Sequence, residues 1–215
     1  MELFDVSNTL FTIGGQGVSF IELFAVLLGI SCVFMATRGK VLNFWLGYLY
    51  NIFLFFMFMQ KHLFSSMLLQ PVSFVINIFG HYRWTHPKEN EKDKANQLKI
   101  TLLTNKERVL YIGVIVVFTF AWGLVLANLH NWFSIFPPAR TPYLDACVTG
   151  LILMAQFLSA KKKLDCWALW FSVNVTNTIL YISVGLKFMP IVSASYLLLA
   201  FFGFRMWRKK MNEEC

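Results

Sequence analysis

Trp167-Ala-Leu-Trp170-Phe-Ser-Val-Asn174-Val-Thr-Asn177-Thr-Ile-Leu-Tyr181 lies inside a run from Cys166 to Leu186 that carries no charged side chain. That run is long enough to cross a bilayer as a helix. At 3.6 residues per turn, Trp167, Trp170, Asn174, Asn177 and Tyr181 recur at steps of three and four, so two indoles, two carboxamides and a phenol share one face. A carboxamide turned to hydrocarbon costs roughly 2–7 kcal/mol in unmade hydrogen bonds. The stripe must therefore look into protein or a wet cavity, and it is the best binding surface in the chain.

The rest of the sequence gives that helix its setting. Of 215 residues, 57% are hydrophobic and 14% charged, far from the balance of a soluble domain; this is the composition of a polytopic membrane protein. The formal charge of +8 does not point to nucleic acid, because the 19 basic residues cluster between apolar spans and form no continuous basic surface. Cys32, Cys147, Cys166 and Cys215 show neither CxxC spacing nor a neighbouring His cluster, so no metal site or disulfide framework is expected and they read as packing residues. The first Lys or Arg is Arg38, which argues against a cleaved signal peptide.

Seven spans follow from the long apolar runs. Residues 1–18, with a Gly14-Gly15-Gln16-Gly17 cluster, read as a short amphipathic or irregular lead-in. Span one covers Ser19 to Thr37, span two Asn43 to Gln60, and span three Leu63 to Tyr82 with a kink expected at Gln70-Pro71. A charged connector occupies 85–108 and reads as a solvated loop or surface helix. Span four, 109–129, is a linker helix; 130–141 is a loop containing Pro137-Pro138; span five runs from Pro142 to Ala160, span six is the opening stripe, and span seven covers Phe188 to Phe204. With the N-terminus outside, sixteen basic residues fall on cytoplasmic segments, and Lys61, Arg140 and Lys187 fall outside. That asymmetry predicts N-out and C-in, with a cytoplasmic tail at 208–215.

Shifting the sequence by 123 places superposes Glu22 on Asp145, Arg38 on Lys161, Lys40 on Lys163, Asn51 on Asn174, Gly80 on Gly203 and Trp84 on Trp207. Self-similarity at a fixed offset predicts duplication, with 19–84 and 142–207 as three-helix copies. The single span between them gives both copies the same orientation, hence an all-α, 3+1+3 membrane protein with parallel repeats about an axis along the membrane normal.

Within the spans, Gln70 and Asn77 are seven apart on one face of span three, with Ser73 between them. The functional expectation is that this face meets the span-six stripe across a cavity; the alternative is that Asn and Gln bond helix to helix. Tyr196 and Asn51 join the polar groups worth weighing. Glu22 and Asp145, at the outer ends of equivalent spans, are candidates for an outer gate. Trp45, Trp84, Trp122, Trp132 and Trp207 lie near span ends and read as interfacial anchors, as His62, His81, His86 and His130 read as interfacial. Indoles stack flat rings and attract cations, and carboxamides pair with other amides or bracket hydroxyls. A stripe without Lys or Arg does not suit a phosphorylated solute. An uncharged-polar or cationic heteroaromatic fits.

Trp167-x-x-Trp170-x-x-x-Asn174 resembles the WxxWxxxN motif of the PnuC-type nicotinamide riboside transporters, and the 3+1+3 plan, the Gly80-x-x-x-Trp84 and Gly203-x-x-x-Trp207 span ends and the basic loop after span three resemble that family from Phe20 to Lys210. The resemblance implies a homotrimer with a SWEET-like fold in a bacterial inner membrane. It implies facilitated diffusion of a dephosphorylated vitamin that a cytoplasmic kinase then traps. Trp167, Trp170 and Asn174 would contact the solute by matching position, with Gln70, Asn77, Asn177, Tyr181 and Tyr196 around them. No cofactor, catalytic residue or metal is implied, and the chain shows no P-loop. Thiamine and riboflavin or deoxynucleoside carriers resemble the same scaffold, so thiamine stays open as a solute. A membrane-embedded enzyme would need paired acids or a nucleophile with its base, which the spans do not carry; a structural subunit would use the stripe only to bond helices.

Overall fold

The computed structural model describes residues 5, 8–13, 15–60, 64–134, 141–183 and 188–214, with the side chains of 16, 64–65, 180–181, 183, 188 and 214 outside that description. Lys61, His62, the Pro137-Pro138 loop, Arg140, Lys187 and Cys215 therefore lie outside the described residues, as does the side chain of Tyr181.

The chain is mostly helical. Its helices are α1 (Phe20–Thr37), α2 (Leu42–Gln60), α3 (Phe64–Thr85), α4 (Asn105–Trp132), α5 (Pro142–Ala160), α6 (Cys166–Ser183) and α7 (Phe188–Glu214). Among the described residues, α1, α2, α4, α5 and α7 are long and apolar enough to cross a membrane. The other two, α3 and α6, are the helices in which Gln70, Ser73, Asn77, Asn174 and Asn177 interrupt the apolar sequence.

Two ends differ from the sequence reading. Residues 9–13 and 15–19 form neither an amphipathic nor an irregular lead-in but an antiparallel hairpin, β1 (Thr9–Ile13) on β2 (Gln16–Ser19), with Ile13 opposite Gln16 and Gly15 at φ +85°. Gly15 adopts the left-handed backbone the turn needs, so the glycines that forbid a helix permit a hairpin instead. At the other terminus α7 runs about ten residues past Phe204, because Arg205-Met-Trp-Arg-Lys-Lys-Met211 is made of good helix formers that need no hydrocarbon.

Packing neighbours trace a closed circuit: α1 on α2, α2 on α3, α3 on α5, α5 on α6, α6 on α7, and α7 back on α1, with α4 laid against α5. Six helices thus surround one axis and the seventh stands beside them. Along α4 the residues Val109, Leu110, Ile112, Val117 and Phe120 are exposed, as an apolar surface against lipid or another subunit would be.

The basic ends of all six ring helices converge on one aromatic row. Phe44 meets Trp84 edge-to-face at 5.0 Å, Trp84 meets Trp207 at 5.8 Å, and Trp207 meets Trp167 edge-to-face at 5.3 Å. Each end of the row lies on a glycine: a Cβ at Gly80 would stand 2.6 Å from Phe44, and one at Gly203 would stand 2.5 Å from Trp167. Trp84 Nε1 donates to the carbonyls of Ser159 and Ala160 at 3.2 Å, and Trp207 Nε1 donates to the carbonyl of Ala36 at 3.0 Å. Trp84 and Trp207 are consequently 6% and 2% exposed and are not interfacial anchors. The indole N–H finds its partner at a helix C-terminus, where backbone carbonyls lack one. Trp45 and Trp132, each 59% exposed, keep the peripheral positions the sequence suggested.

Candidate solute site on the face of α6

α6 begins where the α5–α6 turn leaves it, at Cys166, and its stripe divides into two parts. Trp167 is 3% exposed, wedged between Gly203 and Trp207, and its Nε1 has no hydrogen-bond partner. It belongs to the packed row. One turn on, Trp170 is half-buried and its Nε1 donates to Ser159 Oγ at 3.3 Å. Asn174 is 8% exposed, and its Nδ2 donates to the Trp170 carbonyl at 2.8 Å. Asn177 is half-buried further along the same face. Ser172, Thr176 and Thr178 each bond back to the carbonyl four residues earlier, 3.0, 3.0 and 2.7 Å away, which satisfies hydroxyls that have no other partner on a membrane helix.

Ser159 is a residue the sequence reading missed. Its hydroxyl accepts from Trp170 while its carbonyl accepts from Trp84, so one turn of α5 positions both indoles. The signal was present as register, since Ser159 stands 123 places after Ala36, whose carbonyl takes Trp207.

Across the ring from α6 lies α2. Asn51, at the position 123 places before Asn174, is 5% exposed with its Nδ2 unpartnered. A buried amide without a partner costs on the order of 1–3 kcal/mol unless water or a ligand completes it. Gly47 of α2, in register with Trp170, leaves room that the Asn77 amide fills: a Cβ there would meet Asn77 Nδ2 at 2.6 Å. At this register α6 carries the Trp170 indole, and α3 lays the Asn77 carboxamide over Gly47 of α2. Gln70 is 8% exposed and its Nε2 donates to the Ser66 carbonyl at 3.0 Å, with Ser73 buried beside it; α3 stays continuous through Pro71.

Tyr196 of α7 reaches elsewhere. Its hydroxyl bonds to Tyr50 of α2 and fills the space over Gly29 of α1. α2 and α7 both flank α1, so this bond crosses the inner side of α1. Glu22 and Asp145 are each occupied at a helix start. Ser19 N–H donates to Glu22 Oε2 at 2.8 Å and Glu22 N–H returns to Ser19 Oγ at 3.4 Å, a capping box closing the hairpin onto α1. Thr141 Oγ donates to Asp145 Oδ1 at 3.3 Å in the first turn of α5. The helices that carry them are not neighbours in the ring.

The arrangement can bind a planar ring against Trp170 and bracket polar groups with carboxamides, and it holds no charged side chain at this level. A model of the family described as the nicotinamide mononucleotide transporter matches residues 19–209. The chain belongs to that family. Among relatives, the nicotinamide riboside transporter PnuC of Escherichia coli K12 is 29% identical over an alignment that covers 99% of this chain and 97% of that one. The riboflavin/roseoflavin transporter RibM of Streptomyces davaonensis is 22% identical, over 94% of this chain and 91% of its own. A solved structure titled as the crystal structure of the vitamin B3 transporter PnuC shares the fold, with a TM-score of 0.67 at 21% identity, covering 91% of this chain and 83% of that one. Family and relatives alike are transporters, so this is a multi-pass membrane transporter and not an enzyme.

Proposed function

We propose that the protein takes up nicotinamide riboside by facilitated diffusion through the centre of the six-helix ring. The observation that carries this reading is the uncharged face formed by Trp170 and Asn174, opposite an unpartnered Asn51 amide. A riboside offers a flat cationic ring for the indole, a carboxamide and two ribose hydroxyls for Asn174, Asn51, Asn77 and Gln70, and no phosphate. The mononucleotide of the family's description would bring a phosphate to a surface with no Lys or Arg to receive it. Asn174 keeps its second amide hydrogen and its carbonyl oxygen for the solute. Trp167 supports the site from the packed row behind Trp170 and Asn177 extends it; Tyr196, bonded to Tyr50 over Gly29, stands apart on the inner side of α1 as a further contact along the path, and Tyr181 belongs to the α6 stripe by spacing. Glu22 and Asp145 fit outer-rim caps better than a charged gate.

The same proposal covers the plan of the chain. Residues 19–84 and 142–207 are parallel three-helix repeats joined by the connector 85–108, the linker helix 109–129 and an outer loop at 130–141, after an outer lead-in at 1–18 and before a tail at 208–215. The mirrored Phe44–Gly80–Trp84 and Trp167–Gly203–Trp207 clusters support it. We place the N-terminus outside and the C-terminus in the cytoplasm of a bacterial inner membrane, from the basic-residue asymmetry. Trimerisation, with subunit contacts drawn from the exposed apolar surface, and trapping by a cytoplasmic kinase follow from the family resemblance.

Purified protein in liposomes should take up labelled nicotinamide riboside down its gradient, saturably, without ATP or an imposed ion gradient, and should leave the mononucleotide outside. Thiamine is the second solute to test, since its cationic ring suits the same indole. Uptake of thiamine or riboflavin without the riboside overturns the substrate assignment and leaves the family standing.

A further inference from the structure

The connector between α3 and α4 reads as a solvated loop, yet its middle is among the most buried parts of the chain. Leu98, Ile100 and Leu103 are 3%, 2% and 6% exposed and join the cluster that holds Phe44, Trp84, Trp167 and Trp207. Alternation at Leu98 and Ile100 is the pattern of an extended segment with one face inward. The segment is shaped by Asp93, whose Oδ1 accepts from the Ala95 and Gln97 N–H groups at 2.8 Å, and by Asn96 at φ +55°. Three fastenings then hold it across the basic end of the ring.

One fastening is to the α5–α6 turn. Thr101 pairs with Lys163 as a parallel bridge: its N–H donates to the Lys162 carbonyl at 3.3 Å and its carbonyl accepts from Leu164 N–H at 2.9 Å. Lys162, 2% exposed at φ +55°, donates through Nζ to the Leu98 carbonyl at 2.6 Å and lies 5.0 Å from the centroid of Trp84. Asp165 accepts from Leu103 N–H and from Arg108 Nε, each at 2.9 Å. A second fastening is to α3, where Arg83 grips Glu91 with two bonds of 2.9 and 3.0 Å. The third is to α7, where Lys210 pairs with Asp93 at 3.1 Å and donates to Gln97 Oε1 at 3.2 Å. The segment is thus tied to helices from both halves of the ring at the point where the aromatic row shuts its axis.

A surface loop needs none of this. A lysine drawn 98% out of solvent to hold a loop carbonyl costs desolvation that only a specific seated position repays, here with help from the Trp84 face. We propose that residues 92–104 are the latch of the inner gate, with Lys162 as its pin: seated as here, the segment holds the basic end closed, and solute passes inward only after Leu98 and Ile100 lift out together. This rests on the transporter reading of the central axis, and it makes the connector a moving part of the pathway instead of a tether.

The test uses full-length protein in liposomes, with Cys32, Cys147, Cys166 and Cys215 replaced and Thr101→Cys combined with Lys163→Cys. Bridge partners lie within the reach a disulfide requires. Oxidation should slow exchange of labelled nicotinamide riboside by at least about tenfold, reversed by dithiothreitol, while either single cysteine variant is insensitive to oxidant. Equal exchange before and after oxidation overturns the latch. A second readout does not depend on the solute being right: the thiol of Leu98→Cys should react with a maleimide measurably faster than Cys166 does in the native background, and lose that reactivity once 101 and 163 are joined. Reactivity as slow as that of Cys166 means the segment never lifts, and the latch is overturned whatever the solute. Absence of riboside exchange in the reduced protein, with Leu98→Cys still reactive, contradicts the substrate reading alone.

Discussion

Trp167 and Trp170 stand three residues apart on α6 and do different work. The first fills the space over Gly203 against Trp207, so Trp167→Ala opens a cavity in the aromatic row and should cost on the order of 3–5 kcal/mol of stability. Thermal unfolding in detergent checks this as a large fall in Tm. Trp170 is half-buried with one bond to Ser159, so Trp170→Ala should cost about 1 kcal/mol in that bond and act chiefly on solute binding. Tryptophan quenching by the riboside should be lost in Trp170→Ala with the Tm little changed; equal falls in Tm for both variants contradict the division. A buried amide whose Nδ2 has no partner behaves differently again. Asn51→Leu removes an unmet donor of similar volume, so it should be neutral or stabilising in thermal unfolding while transport is lost. Helical spacing placed both indoles on one stripe. It could not say which faces the slot, because Gly203 on another helix decides that.

At the scale of elements, the helices were legible and the pieces between them were not. Spans of apolar residues fix where α1, α2 and α5 begin and end within a residue or two, since hydrocarbon thickness is a property of composition. The connector reads as solvated because eleven charges from Arg83 to Arg108 dominate its composition, whereas Leu98, Ile100 and Leu103 act through a cluster whose other members lie far off in sequence. Trp84 and Trp207 were read as anchors for the same reason: their carbonyl partners, Ala160 and Ala36, lie far off in sequence. The connector's fastenings also carry a pH signature. The Arg83 guanidinium bonded to Glu91 holds that carboxyl below its usual range. Burial works to raise Asp93, but the Gln97 and Ala95 N–H groups and Lys210 outweigh it and the net shift is downward. Lowered folded values stabilise the seated segment above the ordinary carboxylate range and release it as pH falls through them. Maleimide labelling of Leu98→Cys, divided at each pH by the rate of a fully exposed reference cysteine to remove the thiolate's own titration, should be flat from about pH 5 to 8 and rise below about pH 4; a rise of that ratio near neutrality contradicts the assignment.

For the molecule as a whole, the ring of six helices is tied across itself by indoles that borrow distant carbonyls, Trp84 from Ser159 and Ala160 and Trp207 from Ala36. Gly80→Ala and Gly203→Ala strike matching aromatic rings, so both should destabilise the fold and to similar extents, which unfolding of the two variants side by side measures. The offset of 123 is legible in the sequence, but the way the Asn77 amide fills the space over Gly47 appears only when the helices are packed. A reporter fused after Cys215 should be active only in the cytoplasm if the sixteen-to-three basic asymmetry sets topology. The central claim is that solute meets α6 and α2 on the ring axis. Counterflow of labelled nicotinamide riboside in liposomes, compared among native protein, Asn174→Leu and Asn51→Leu at matched Tm, tests it most directly. Saturable exchange in the native protein that falls by at least about tenfold in both variants is the expected result; native exchange that persists in both places the pathway elsewhere.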